Sequence, residues 1–335
     1  MAWVNRLATL TLVIGGLAPT GAFALDKVTF GTNWLAEAEH GGFYQAIVDG
    51  TYAKYGLDVT LLPGGPQVDR EILLPSGKLD FYVGGNMLQA YSAVEQHVPI
   101  VVVAGFFQKE PQCILSHPGV GLDTFESLKT APIFIGKEGL TSFYRWMVSQ
   151  YGFSEDMVKP YTYNTAPFIA DKKSAQQGYA TSEPYAVETQ GGFKPNVFLL
   201  ADNGFSTYST TIETRSDLVE KNPDLVQRFV DASAIGWYNY LYGDPAKANE
   251  AIKKDNPDIT DKELGFARDT LKRDGIVDSG GSLQDGIGAM SDARQKDFFD
   301  KMVKAGVTSP DIDYKKSYTL QFVNKKVGLD LRPKN

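Results

Sequence analysis

The segment from Thr29 to Gly65 constrains the fold more than any other part of the chain. Val28–Gly31 predicts a strand, Gly41–Tyr55 a helix ended by Gly56, and Leu57–Leu62 a second strand before the turn Pro63-Gly64-Gly65-Pro66. Strand, helix and strand in that order ask for a mostly parallel sheet with helices on its faces. In such sheets ligands lie beyond the carboxyl ends of the strands. The loop Asn33-Trp34-Leu35-Ala36-Glu37-Ala38-Glu39-His40 occupies that place with an indole, an amide, two carboxylates and an imidazole. It is the first candidate for touching a small molecule.

The alternation continues. A helix is expected over 68–76, a strand over Phe81–Val83 stopped by Gly84-Gly85-Asn86, a helix over Met87–Gln96 and a buried strand from Pro99 to Val103. A related pattern restarts near residue 119, with a capped turn at Phe125–Lys129, a strand Ile133–Ile135 and a helix Thr141–Gln150. It continues with a strand around 161–163, a helix near 171–177, and strands at Gly178–Thr181 and Val197–Leu200. Phe43-Tyr44 to Tyr55-Gly56 and Phe143-Tyr144 to Tyr151-Gly152 match as helices entered by Phe-Tyr and closed by a glycine cap. One such unit in each half suggests two lobes of similar build. The last third is helical: Asn222-Pro223 and the capping box Thr260-Asp261-Lys262-Glu263 are helix starts, and Ser291 opens a helix that Gly306 closes. No linker of low complexity joins the halves, so crossovers are expected near Gln108–Ser116 and Gly204–Thr211. That divides the chain into 25–112 with 208–335 as one lobe, and 113–207 as the other.

Arg6, the apolar run Leu7–Leu17 and Ala22-Phe23-Ala24 have the pattern of a secretory signal peptide over 1–24, cleaved after Ala24. No later stretch predicts a membrane span. A formal net charge of −7 argues against a nucleic-acid partner. The single cysteine, Cys113, allows neither an internal disulfide nor a CxxC motif.

Motifs for hydrolases, zinc proteases, P-loops and dinucleotide sites are absent. His97 and His117 read as a helix end and a turn; His40 alone stands beside other polar candidates. Glu37, Glu39 and His40 have metal-ligand chemistry at an unspecific spacing, and a solvated or helix-capping role is expected instead. Gly84-Gly85-Asn86 and Glu138-Gly139-Leu140-Thr141-Ser142 each lie between strand and helix and could aim backbone N–H groups at a ligand. Glu183, in Ala180-Thr181-Ser182-Glu183-Pro184-Tyr185, follows a strand and can accept paired hydrogen bonds from an aminopyrimidine edge or hold a cation. Trp34, Tyr185 and Tyr208 are loop aromatics able to stack a flat ligand. Trp146 and Trp237 fall on apolar helical faces and read as core.

Phe30-Gly31-Thr32-Asn33-Trp34, the helix into Tyr55-Gly56-Leu57-Asp58-Val59, and Gly77-Lys78-Leu79-Asp80-Phe81 together resemble the substrate-binding proteins of ABC importers. The branch is that for sulfonates, nitrate and the thiamine pyrimidine precursor, and the likeness covers nearly all of the chain after residue 24. The resemblance implies a two-lobed α/β periplasmic-binding-protein fold (type II), mostly parallel sheets with helices on both faces, and a ligand cleft between the lobes. It implies a monomeric periplasmic protein with no cofactor or metal, partnered by an ABC permease of the inner membrane. In that picture Trp34 stacks the ring with Tyr185 or Tyr208 opposite, Glu183 binds the ring edge, and Asn33, His40, Asn86 and Thr141 complete the polar shell. A small nitrogen heterocycle such as a thiamine pyrimidine precursor is the expected ligand. A sulfonate- or nitrate-type anion held at the glycine-rich helix entries is the alternative. The same fold carries the thiamine pyrimidine synthase. Its Schiff-base lysine and sacrificial histidine align with Gly85 and Gln89 here, and its cysteine-rich iron segment has no counterpart. Those departures disfavour the enzyme.

Overall fold

A computed structural model of the chain describes residues 24–334, apart from 67 and 69. The expected signal peptide lies, but for Ala24, outside the described residues. Among the described residues no helix is long and apolar enough to cross a membrane.

Among the described residues ten strands form two five-stranded sheets with the same build. The first contains β1 (Asp26–Gly31), β2 (Leu57–Leu62), β3 (Phe81–Asn86), β4 (Ile100–Phe107) and β10 (Ser209–Arg215), in the order β2-β1-β3-β10-β4. The second contains β5 (Gln112–Ser116), β6 (Ile133–Ile135), β7 (Val158–Pro160), β8 (Ala175–Tyr179) and β9 (Asn196–Leu199), in the order β7-β6-β8-β5-β9. The sheets are mixed rather than mostly parallel. β1 pairs in parallel with β2 and β3, and β6 with β7 and β8. The strands that follow the two crossovers reverse this: β10 runs antiparallel to β3 and β4, and β5 to β8 and β9. Helices cover both faces of an architecture of the type II periplasmic-binding-protein kind.

The largest core lies under the helix Pro223–Tyr242. Asn222 accepts from the Leu225 N–H at 3.2 Å and Pro223 takes the first turn, where its missing N–H costs nothing. Phe229 then stacks on Phe81, with ring centroids 3.9 Å apart, and meets Phe30 edge-on at 5.0 Å. Each buried Phe contributes about 1.5–3 kcal/mol. The helix Gly41–Val48 packs directly on this one, and its first two residues show why they are glycines. A Cβ on Gly42 would lie 2.3 Å from the Trp237 ring, and one on Gly41 2.2 Å from Tyr240. That close approach fixes the start of the helix and the end of the 32–40 loop. Trp146 and Trp237 are both buried.

Several local expectations shift. The helix expected over 68–76 is only a 3-10 turn at Glu71–Leu73. Pro167 starts a short helix at Ala166–Ala170, so 171–177 is not helical and β8 begins at Ala175. The expected strand around 161–163 ends at Pro160, and Tyr163 follows with a left-handed φ of 59°.

Candidate functional site

A cavity of about 350 Å³ lies between the two sheets. The loop after β1, the end of β3, the 108–111 crossover, the helix entry at 138–143 and the end of β8 all reach it.

The 32–40 loop is held by its backbone, which frees its side chains. The Trp34 carbonyl accepts from the Thr32 hydroxyl at 3.0 Å and from the Gly64 N–H at 3.0 Å. Gly64 is required there, since a Cβ would lie 2.3 Å from the Thr32 carbonyl oxygen. The indole of Trp34 is left 39% exposed on the cavity wall, an unusual position for so large an apolar ring. His40 Nε2 lies 3.3 Å from Asn33 Oδ1. Burial lowers the His40 pKa to about 4, the Leu35 backbone pulling the other way, so the imidazole is neutral at pH 7.

Five glutamates line the cavity, Glu37, Glu39, Glu110, Glu138 and Glu183, and among the described residues no lysine or arginine does. The expected solvated or capping role for the loop acids is not what the structure has. Glu39 is 5% exposed, and Glu37 stands at the N-cap of a 3-10 turn without making a cap bond. The loop folds inward, and the Thr181 hydroxyl at the other sheet donates to Glu39 Oε1. Burial raises the Glu37 pKa well above the ordinary range, and the charges of Glu39 and Glu183 add to it. Burial also raises Glu39, with the Thr181 hydroxyl opposing. Glu110 is pushed up to about 7 by burial, while the Asn86 amide, donating to its Oε1 at 2.8 Å, draws it back. Its Oε2 is buried without a hydrogen-bond partner.

The Glu110 pKa lies above its ordinary 4.5, so the contribution to stability is whole below pH 4.5 and is lost as pH rises through about 7. The ligand-free protein is expected to melt at lower temperature as pH goes from about 5 to about 7.5. Glu110→Gln should flatten that fall; an unchanged slope in the variant would place the responsible proton elsewhere.

Amide carbonyls engage the N–H of Gly85 at the first helix entry and that of Gly136, three residues ahead of the expected Gly139, at the second. Gln89 Oε1 accepts from the Gly85 N–H at 2.6 Å, and Gln177 Oε1 from the Gly136 N–H at 2.6 Å. Asn86 caps the helix Met87–Glu95 by accepting from the Leu88 N–H at 2.9 Å.

Of the residues singled out from sequence, Asn33, Trp34, His40, Asn86 and Glu183 border this cavity. Tyr185 borders a neighbouring one, its ring 5.4 Å from that of Phe266. Thr141 lies outside both cavities and donates to the Glu138 carbonyl at 3.1 Å, since the helix breaks at Ser142 and it is Ser142 that borders the site. Tyr208 is buried away from the cavity under the Arg294 guanidinium, 4.0 Å from its ring centre, and its hydroxyl accepts from the Ser291 N–H. Glu110, Gln112, Tyr163, Gln177 and Tyr179 border the cavity and were not singled out. Glu110 follows the long apolar run of β4, and a polar residue at the carboxyl end of a buried strand was the available signal.

Residues 37–248 match the family model described as NMT1/THI5 like. The riboflavin-binding protein RibY of Chloroflexus aurantiacus is 26% identical over 91% of this chain and 88% of its own length. A 4-amino-5-hydroxymethyl-2-methylpyrimidine phosphate synthase of Saccharomyces cerevisiae, THI11, is 27% identical over 67% of this chain and 69% of that protein. Among solved structures, a putative periplasmic sulfonate-binding protein SsuA of Methylobacillus flagellatus superposes with a TM-score of 0.62 at 14% identity, covering 89% of this chain and 93% of that one. That last likeness is one of fold. The two-sheet architecture and the family match over most of the chain agree, and the chain belongs to the NMT1/THI5-like family.

Proposed function

We propose that this protein is the solute-binding component of an ABC importer, and that its ligand is a nitrogen heterocycle carrying an amine or a positive charge, such as a thiamine pyrimidine precursor. The observation that carries the reading is the acidic make-up of the cavity wall, with five glutamates and, among the described residues, no lysine or arginine. A ring-protonated aminopyrimidine offers an amine N–H and an adjacent ring N–H that a carboxylate accepts as a pair, and its positive charge adds an attraction that strengthens out of water. Trp34 supplies the stacking face, and the amides of Asn86, Gln112 and Gln177 supply neutral polar partners. In this reading 25–112 with 208–335 forms one lobe and 113–207 the other. The two close on the ligand, and the closed form meets a permease. Export through cleavage after Ala24 belongs to the same proposal.

A sulfonate or nitrate fits poorly, because its charge would enter beside like charges and the N–H groups of Gly85 and Gly136 are engaged by Gln89 and Gln177. Riboflavin, bound by the relative from Chloroflexus aurantiacus, is the second reading. Its imide edge has one donor between two carbonyls and suits the cavity's amides better than its glutamates. A synthase reading meets Gly85, which has no side chain for a Schiff base, and Gln89, whose carbonyl is tied to the Gly85 N–H.

The test is a thermal-shift and calorimetry panel of 4-amino-5-hydroxymethyl-2-methylpyrimidine, thiamine, riboflavin, taurine and nitrate. A ligand that binds only the folded chain raises the melting midpoint by mass action. A shift with the amine-bearing rings is expected, and Trp34→Ala should then weaken binding by about 1–3 kcal/mol, the scale of a lost stacking face. A shift with taurine or nitrate alone would overturn the reading, and full affinity in Trp34→Ala would remove the stacking role.

A further inference from the structure

A second cavity, of about 400 Å³, adjoins the first. Glu37, Glu39, Tyr163, Ser182 and Glu183 border both, so three carboxylates stand in the partition. Tyr163 is 66% exposed, which places part of that partition at the surface. Beyond it the chemistry changes. Asn164 and Gln190 present amides on one side; Tyr185, Ile259 and Ala267 present largely apolar surface on the other. The remaining acid there, Glu263, is engaged in a capping box and accepts from the Thr260 N–H at 2.8 Å and its hydroxyl at 2.7 Å.

We propose that the second cavity is a subsite for the far half of a two-part ligand, a cation whose heteroaromatic end lies against Trp34 and whose positive centre rests on the Glu37–Glu39–Glu183 partition. The inference rests on the heterocycle reading above and extends it. Acids sharing one wall repel one another, and Glu37 feels both of the others. A positive centre at the partition relieves all three at once, whereas a charge held at the far end of either cavity does not. The first cavity independently asks for a ligand, since the buried Glu110 Oε2 on its wall has no partner. The second is large enough to hold several waters. A single ring in the first cavity leaves that water in place. A tail with a neutral polar tip would displace it, matching the mixed amide and apolar lining.

The experiment compares two probes by calorimetry. 4-Amino-5-hydroxymethyl-2-methylpyrimidine reaches only the first cavity, and thiamine joins the same kind of ring to a permanently cationic ring with a hydroxyethyl arm. Thiamine is expected to bind at least tenfold more tightly. Ala186→Phe, on the second cavity's wall, should abolish that gain and leave the bare pyrimidine within twofold. Gln190→Phe fills the same cavity from an exposed helix position and guards against a folding defect in the first variant. If the pyrimidine binds but thiamine gains nothing, or if both variants weaken the two probes alike, the subsite is overturned and the heterocycle reading stands. If neither probe binds while riboflavin or taurine does, the heterocycle reading fails and the subsite with it.

Discussion

Glu183→Gln is expected to weaken an amine-bearing or cationic heterocycle by about 2–5 kcal/mol, the cost of removing one partner of a buried, hydrogen-bonded charge pair. That is a loss of about thirtyfold to several thousandfold. The size follows from how the carboxylate is held. The Tyr161 hydroxyl donates to Oε1 at 3.1 Å, and the Tyr179 N–H and the Ser182 hydroxyl donate to Oε2, each at 2.7 Å. Three donors fix the carboxylate oxygens in place, so a ligand meets a preorganised acceptor and no reorganisation cost. Glutamine keeps the shape, removes the charge and turns one acceptor into a donor. Glu39→Gln is the comparison. Burial raises that carboxyl's pKa and the Thr181 hydroxyl already occupies its Oε1, so less is lost when the charge is removed, and the cost should be about 1 kcal/mol. Calorimetry on both variants, with melting curves to show that each folds, decides the point. Equal losses would take Glu183 out of the recognition of charge.

The contrast between these two glutamates also shows what could be read without coordinates. Alternating strands and helices, the Asn222 and Thr260 caps and the loop after β1 all leave local patterns, because caps and apolar periods are short-range properties. So Asn33, Trp34, His40 and Asn86 could be picked out: each lies at or beyond the carboxyl end of a strand. Gln177 could not. Gln176-Gln177 lacks the apolar content of a buried strand, and 171–177 reads as helix, yet both lie buried in β8, where Gln177 satisfies the Gly136 N–H. Polar residues in a central strand break the local rule where a site needs them. Tyr208 failed in the opposite direction. A loop tyrosine next to a crossover looks available for stacking, and only the fold shows that the Arg294 side chain already lies on it. The inward turn of Glu37 and Glu39 was equally hidden, since Thr181, the partner of Glu39, is 142 residues away from it.

Arg294 is where the second large effect is expected. Its guanidinium reaches both crossovers between the sheets: Nε donates to the Ser206 carbonyl at 2.7 Å, and Nη2 donates to the carbonyls of Thr207, at 2.7 Å, and Gln108. Burial lowers its pKa, with Tyr208 and Asp297 opposing, so a mostly buried cation ties together the two places where the chain passes from one sheet to the other. Arg294→Ala leaves three carbonyls without this donor and opens space over the Tyr208 ring. Each unsatisfied buried group costs about 1–3 kcal/mol, and some are rescued by water, so a total loss of roughly 3–5 kcal/mol is expected. Arg294→Lys keeps the charge but has no planar fork to serve separate carbonyls, and should recover less than half of the loss. Chemical denaturation of the ligand-free protein measures the stability. Small-angle scattering with and without ligand measures whether the two sheets still draw together. If the crossovers are the axis of closure, the alanine variant will be less compact before ligand is added and will change less when it is. A variant that loses stability yet closes like the parent would make Arg294 a brace of the core alone, and would move the axis of closure away from the 108–111 and 200–208 segments.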